Sequence, residues 1–449
     1  MHSISGNRYP ITGSLLAVAV LALLTLADNV LSNTLPFVLG PVPPQVPGFW
    51  NLTTTALILS VVSDIIGQLI LMLLTHHSGS TCAIHLNNLS ITIACVYSLV
   101  SFSWRADGAV WPSVIASIFK IVGGGSHATA FLTITLIWEK TSGSLRSALI
   151  YITGAVIVLS QTIASSVTPF LARQNPTFPY TFSIVCCVLA SIVTVFYHTG
   201  GIPTGNREWI SNSLVRPLLS PTVANQEAPS STQLGFLEVY SQRWHNKSFN
   251  TRVIITLLGF IFLLAGIAKA TRPLFTTYIQ HRIGITPVVA DYLWLIRTGV
   301  SLVIFTVVLP LIVILLSQSI SRLPSTTNLY VAKISIILMA IGAFEIGVAR
   351  SMPVLMSGLM INTLGVGTDL ALLTFAADAL PEDIGGYLFM AITLIESVAM
   401  LIGIWVLYPV YQFCLDDHTP LGGTPYYICA GLYTICGVIV WKLGLFTDL

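Results

Sequence analysis

Twelve stretches of this chain are apolar for long enough to cross a bilayer, and that pattern constrains the fold more than any motif. They fall at approximately 11–33, 51–74, 82–103, 111–137, 147–171 and 179–198, then at 252–279, 288–317, 328–348, 352–378, 384–411 and 425–446. A helix needs roughly 20 apolar residues to span a hydrocarbon core of about 30 Å, and only helices or closed barrels satisfy their own backbone there. The expected fold class is an all-α membrane protein of about 12 transmembrane helices, six on each side of a polar interval. The first run continues to about Val30, too long for a signal-peptide core, so it reads as an uncleaved first helix.

Only 8% of the residues are charged, against about 25% in soluble domains. Each ionisable group inside an apolar run costs roughly 2.5–3.5 kcal/mol at a helix centre, so the few that occur there carry the information. The net charge of +2 and the absence of a basic run interleaved with aromatics exclude nucleic acid as a partner. Six of the seven cysteines lie in apolar stretches, Cys414 being the exception, and none shows a disulfide or zinc spacing. No metal, cofactor or catalytic constellation is legible, and Gly123-Gly124-Gly125 lacks the Lys-Ser/Thr that a phosphate loop requires. The chain is expected not to be an enzyme and to be monomeric, with membrane lipid and a small-molecule substrate as partners.

Three regions follow: a first six-helix bundle at 1–198, a linker at 199–251 and a second bundle at 252–449. The linker carries Arg207, Arg216, Arg243, Lys247 and Arg252 among polar residues. Its composition predicts a largely disordered loop, with a short amphipathic piece around Phe236–Trp244. The positive-inside rule places the linker, Lys140, Arg146 and both termini in the cytoplasm, in a multi-pass protein of the plasma membrane.

The two halves echo one another. Gly123-Gly124-Gly125-Ser126-His127 in the fourth run and Gly365-Val366-Gly367-Thr368-Asp369 in the tenth share a glycine–hydroxyl–polar pattern, and charged turns follow at Glu139-Lys140 and Glu382-Asp383. Duplicated transporter folds show such equivalences. Close helix packing by Gly123, Gly124, Gly125, Gly365 and Gly367 is the competing account.

Six spans, a long loop and six more, with the run from Phe119 to Ala130, Arg146-Ser147-Ala148, the stretch Asn328–Ser335 and Leu364–Gly367, together resemble the major facilitator superfamily, particularly its fungal members. The resemblance implies two pseudo-symmetric halves that rock about a central cavity. It also implies proton-coupled or facilitated transport of a small organic solute, with a tilt toward efflux of an apolar or amphipathic metabolite. Two departures oppose it. The turn at Leu74–Thr81 keeps only Gly79 and His76 of the superfamily's charged latch, and the fifth span lacks the Gly-Pro pattern of drug–proton antiporters. A transport-inactive sensor or scaffold of the same fold is the alternative.

Among intramembrane ions, Asp28 and Lys120 are candidates for a salt bridge between spans one and four. Arg297 and Glu396 are the leading pair, because a protonated carboxylate would release the guanidinium to hold an anion. His127 and Asp369 occupy matching places in the repeat and are candidate proton relays, with Asp64 and Glu345 of the same kind. Lys269 and Arg272 read as snorkelling toward the outer interface. Glu139, Lys140 and Arg146 are candidates for gating in place of the missing latch.

Overall fold

A computed structural model of the chain describes residues 9–39, 52–104, 111–141, 144–199, 249–272, 274–285, 287–309, 311–312, 315, 324–380, 385–415 and 420–445. Among them are fifteen α-helices. The first half holds α1 (Tyr9–Leu39), α2 (Leu52–Ser78), α3 (Ser80–Trp104), α4 (Trp111–Phe119), α5 (Gly125–Lys140), α6 (Ser144–Gln174) and α7 (Phe178–Thr199). The second holds α8 (Phe249–Lys269), α9 (Phe275–Ile283), α10 (Pro287–Val303), α11 (Pro324–Val348), α12 (Met352–Leu364), α13 (Thr368–Ala379), α14 (Gly385–Leu415) and α15 (Thr424–Leu445).

These make twelve passes. Ten spans are long and apolar enough to cross a membrane, and two shorter apolar helices, Gly125–Ile137 and Tyr292–Val308, supply the fourth and eighth. The linker expected at 199–251 falls, apart from its ends, outside the described residues, and so do the side chains of Glu139, Lys140 and Arg146.

The helices are apolar all round because one face meets protein and the other is dressed for lipid. On α11, Ile334, Ile337, Ile341, Phe344 and Val348 form an exposed stripe at helical spacing, while Ala332, Ile336, Ala343 and Ile346 on the other side are buried. On α7 the exposed stripe runs through Val185, Val188, Leu189, Ile192 and Val195.

Packing repeats between the halves. In the first, α1 lies on α6 and α7, and α3 on α7; in the second, α8 lies on α14 and α15, and α11 on α15. The seam between the halves has the same symmetry: α2 meets α14 as α10 meets α6, and α5 meets α14 as α13 meets α6. The first-half core gathers Leu24, Leu71, Ile91, Phe131 and Tyr180. The second-half core reaches across the seam to Val61, Ile134, Ile150 and Tyr151.

Several spans expected to be continuous helices are interrupted. The fourth breaks between α4 and α5, where Gly124 and Gly125 take left-handed φ values of 69° and 65°. The seventh breaks at 270–274, between α8 and α9, the eighth carries a π-helical segment at Ile304–Val308, and the tenth passes through a 3-10 turn at Gly365–Gly367. The glycines of the fourth span therefore do more than pack. A left-handed residue costs an L side chain roughly 1–2 kcal/mol, so the glycine pair lets the chain leave one helix and start another within the membrane. Between α2 and α3 the whole turn reduces to Gly79, whose φ is 86°.

Candidate functional site

A helix broken inside a membrane exposes N–H and C=O groups that water cannot reach, so other side chains must satisfy them. In the fourth span three polar residues do this. Ser90 of α3 donates to the carbonyl of Phe119 at 2.7 Å, and Asn87 donates to the carbonyl of Gly125 at 3.1 Å and to Thr129 Oγ1 at 2.6 Å. Asp28 of α1 accepts from the Ser126 N–H at 2.9 Å, placing a carboxylate at the N-terminus of α5 where the helix dipole favours it.

The same carboxylate forms an ion pair with Lys120, which stands in the break itself. Both side chains are almost fully buried, at 5% and 4% exposure. Asp64 of α2 completes the group: a methyl group on Gly125 would lie 2.9 Å from its Oδ1 and 3.2 Å from Asp28 Oδ2. Gly67 fits α2 against the break so tightly that a methyl group there would lie 2.2 Å from the Gly124 nitrogen. One lysine thus faces two aspartates.

The second half builds the counterpart with its charges exchanged. Lys269 ends α8, where a cation suits the helix C-terminus. It bonds to Asp369 at 2.6 Å, in the first turn of α13, and also to Glu396 of α14. Asp28 and Lys269 stand at nearly the same depth from the starts of α1 and α8. The aspartate–lysine tie between spans one and four becomes a lysine–aspartate tie between spans seven and ten.

This arrangement corrects two expectations. Arg297 does not pair with Glu396. Two close contacts at glycines draw α8, not α10, against α14: a methyl group on Gly266 would lie 2.6 Å from Ala399 Cβ, and one on Gly403 2.6 Å from the Ile267 carbonyl oxygen. That contact delivers Lys269 to Glu396. Nor does Lys269 snorkel, being only 9% exposed, because Asp369 and Glu396 hold its ammonium inside the second half. The sequence carried a signal for this in Gly266, three residues before Lys269, and in Ala399 and Gly403 after Glu396, which together form a small-residue seam.

Arg297 instead donates to Asn362 Oδ1 at 3.2 Å, and its guanidinium lies 4.5 Å from the centre of the Trp294 ring. Asn362 is fixed by a bond from its Nδ2 to the Met339 carbonyl at 3.1 Å. Gly342 makes room for this, since a methyl group there would lie 2.3 Å from the Asn362 nitrogen. Arg272, in the break between α8 and α9, is exposed and lines the same pocket as Lys269 and Arg297. His127 on α5 is also exposed, within electrostatic reach of Glu396, Asp28, Lys269 and Arg272. Glu345, the remaining carboxylate candidate, accepts a hydrogen bond from Ser357.

Across the seam the described polar contacts are neutral. Gln68 Nε2 donates to Ser397 Oγ at 2.9 Å. At the end where α6 and α11 begin and α13 ends, the Tyr151 hydroxyl donates to Asn328 Oδ1 at 2.9 Å and accepts from Thr374 at 3.3 Å. Beside them a methyl group on Gly154 would meet Leu370 Cδ1 at 2.0 Å.

No family model and no curated protein matches the sequence. Solved structures do. The proton:xylose symporter XylE, bound to 6-bromo-6-deoxy-D-glucose, superposes with a TM-score of 0.66 at 16% identity, covering 97% of this chain and 95% of its own. A partially occluded inward-open form of XylE from E. coli gives 0.64 at 16% identity, covering 97% and 99%. The human organic anion transporter MFSD10 gives 0.64 at 15% identity, covering 97% and 100%. Sequence identities this low carry architecture and nothing finer. The chain has the twelve-helix major facilitator fold.

Proposed function

We propose that the protein is a secondary transporter that moves a small organic solute across a membrane by alternating access. One observation carries this reading. The described ion pairs lie within a half, Asp28–Lys120 in the first and Lys269 with Asp369 and Glu396 in the second, while the described polar contacts between halves are neutral. Halves tied internally by charge and joined by weak contacts suit rigid-body rocking. Like-folded proteins, a proton:xylose symporter and an organic anion transporter among them, support the reading. Glu396 and Asp369, each about a quarter exposed beside Lys269, are the groups assigned to coupling, with His127 within electrostatic reach of Glu396.

The finer assignment is export of an amphipathic metabolite through the plasma membrane, with both termini and the basic linker in the cytoplasm. The test is metabolite profiling of cells and medium from wild-type, gene-deleted and Glu396→Gln strains at matched protein level. A compound that accumulates in the cells and falls in the medium in both altered strains is the expected result. If no compound changes compartment under any inducing condition, transport is refuted and the sensor or scaffold reading, motivated by the uncharged turn at 74–81, takes its place.

A further inference from the structure

The carboxylates of the second-half cluster are committed to Lys269, and two arginines beside it have none. Arg297 spends one of its five N–H donors on Asn362 and lays its face on Trp294. Arg272 has no hydrogen bond or ion pair from its side chain among the described residues, and it is close enough to Arg297 for the two cations to repel. Counting Lys269, Arg272 and Arg297 against Asp369 and Glu396, the cluster is left one positive charge in excess.

Both arginines line one pocket, and four aromatic side chains, Phe275, Trp294, Tyr426 and Tyr433, share its wall with aliphatic and polar residues. The Phe275 and Trp294 rings are 5.6 Å apart, centre to centre. Tyr426 is 5% exposed, and its hydroxyl has no hydrogen-bond partner among the described residues. A buried hydroxyl without a partner is destabilising, and a ligand oxygen would remove that cost. The pocket has room for about 30 Å³, enough for one or two water molecules, and is partly open on one side. That room accepts a headgroup and not a whole solute.

We propose that this pocket is an organic-anion subsite: Arg272 and Arg297 hold the carboxylate of the transported solute, the Tyr426 hydroxyl donates to it, and the adjoining apolar body lies outside, beyond the pocket's open side. The proposal rests on the transporter reading and names its substrate class. Guanidinium suits the task because it stays charged, forks onto two carboxylate oxygens and stacks on an aromatic face at once. A neutral solute would leave the half-buried Arg297 and the exposed Arg272 without an anionic partner. The missing anionic group is supplied by the solute, because the carboxylates described beside the arginines, Asp369 and Glu396, are already engaged with Lys269.

The test uses the purified full-length chain in detergent, with benzoate, octanoate and indole-3-acetate as probes and the corresponding neutral amides as controls. Binding is read as saturable thermal stabilisation. At least one acid is expected to bind tenfold or more tightly than its amide. Arg297→Gln and Arg272→Gln are each expected to weaken that acid at least tenfold while leaving the amide unchanged. Arg272 is exposed, so its replacement keeps the test available if Arg297→Gln fails to fold. Acids that bind no better than their amides, or equal binding by wild type and Arg272→Gln, would overturn the proposal.

Proteoliposome flux separates this proposal from the reading beneath it. Flux of a neutral metabolite that both arginine variants sustain at wild-type rate refutes the subsite and leaves the transporter intact. Arginine-dependent binding of an acid that is never translocated supports the subsite and refutes transport.

Discussion

Replacing Lys269 should destabilise the protein more than replacing either of its partners, and the structure gives the scale. Lys269 is the one cation bonded to both Asp369 and Glu396, and its side chain is 10% exposed against their 27% and 26%. Lys269→Met leaves two carboxylates facing each other with no cation between them. Removing one member of a buried pair costs about 3–5 kcal/mol, and here the lost member serves two anions. Glu396→Gln leaves the 2.6 Å bond from Lys269 to Asp369 in place. Its loss is one charge-assisted hydrogen bond, about 1.5–3 kcal/mol before allowance for the partner's exposure. Asp369→Asn should fall in the same range.

At a few degrees per kcal/mol, Lys269→Met should lower the apparent melting temperature by roughly 5–10 °C, and either carboxylate variant by about 2–4 °C. Fluorescence-monitored unfolding in detergent at one scan rate compares them, because such melts are kinetic as well as thermodynamic. The triple variant Lys269→Met, Asp369→Asn, Glu396→Gln should regain most of the loss, since an uncharged replacement removes the desolvation cost along with the attraction. The reasoning is refuted if Lys269→Met melts within about 1 °C of wild type, or if either carboxylate variant melts below it.

The first-half cluster should behave likewise. Asp28→Asn is expected to cost about 3 kcal/mol, and adding Lys120→Met should recover a large part of it, measurable as a favourable coupling in a double-mutant thermal cycle. Gly124→Ala should be worse than Gly284→Ala in thermal stability. Both take left-handed φ, but a methyl group at Gly124 would meet Ala128 Cβ and the Gln68 nitrogen at 2.9 Å, whereas nothing lies within 4 Å of one at Gly284. Tyr151→Phe removes hydrogen bonds to Asn328 and Thr374 across the seam. It should cost about 1 kcal/mol and shift the balance between closed and open forms severalfold. Spin-label distances between α6 and α13 would report that shift, and an unchanged distribution would count against the seam as a hinge.

The twelve passes and the duplication were legible because hydropathy runs and the two Gly-x-Gly patterns are local features. The Asp28–Lys120 pair was legible too, since each stands alone in an apolar run and their spans neighbour each other in the resembled fold. What escaped was anything decided by how two spans approach. Arg297 and Glu396 both look solitary in the sequence, and choosing between Arg297 and Lys269 as the partner of Glu396 requires knowing that Gly266 and Gly403 seat α8 on α14. The breaks escaped as well. Nothing in the run Phe119–Ala130 distinguishes glycines that pack from glycines that turn the chain, until Asn87, Ser90 and Asp28 are seen satisfying the exposed backbone.

Where the charges sit alters how the buried pairs should be understood. Had Asp28–Lys120 or Lys269–Glu396 bridged the halves, every transport cycle would have to part a buried ion pair, at about 3–5 kcal/mol each. In this structure those ties run between spans one and four, and from span seven to spans ten and eleven, all within a half. Among the described residues, the contacts that the proposed rocking would break are Gln68–Ser397, Tyr151–Asn328 and Tyr151–Thr374, neutral bonds of about 0.5–1.5 kcal/mol apiece. On the proposed reading, the described part of the seam is the cheap surface and each half the stiffer body. The exception is Glu396, which belongs to the second half but lies on α14, the helix that packs against α2 and α5 across the seam. With His127 of α5 within electrostatic reach, Glu396 is, on the proposed reading, the described charged group best placed to sense whether the halves are together or apart. Its exchange for glutamine should therefore alter flux more than it alters stability.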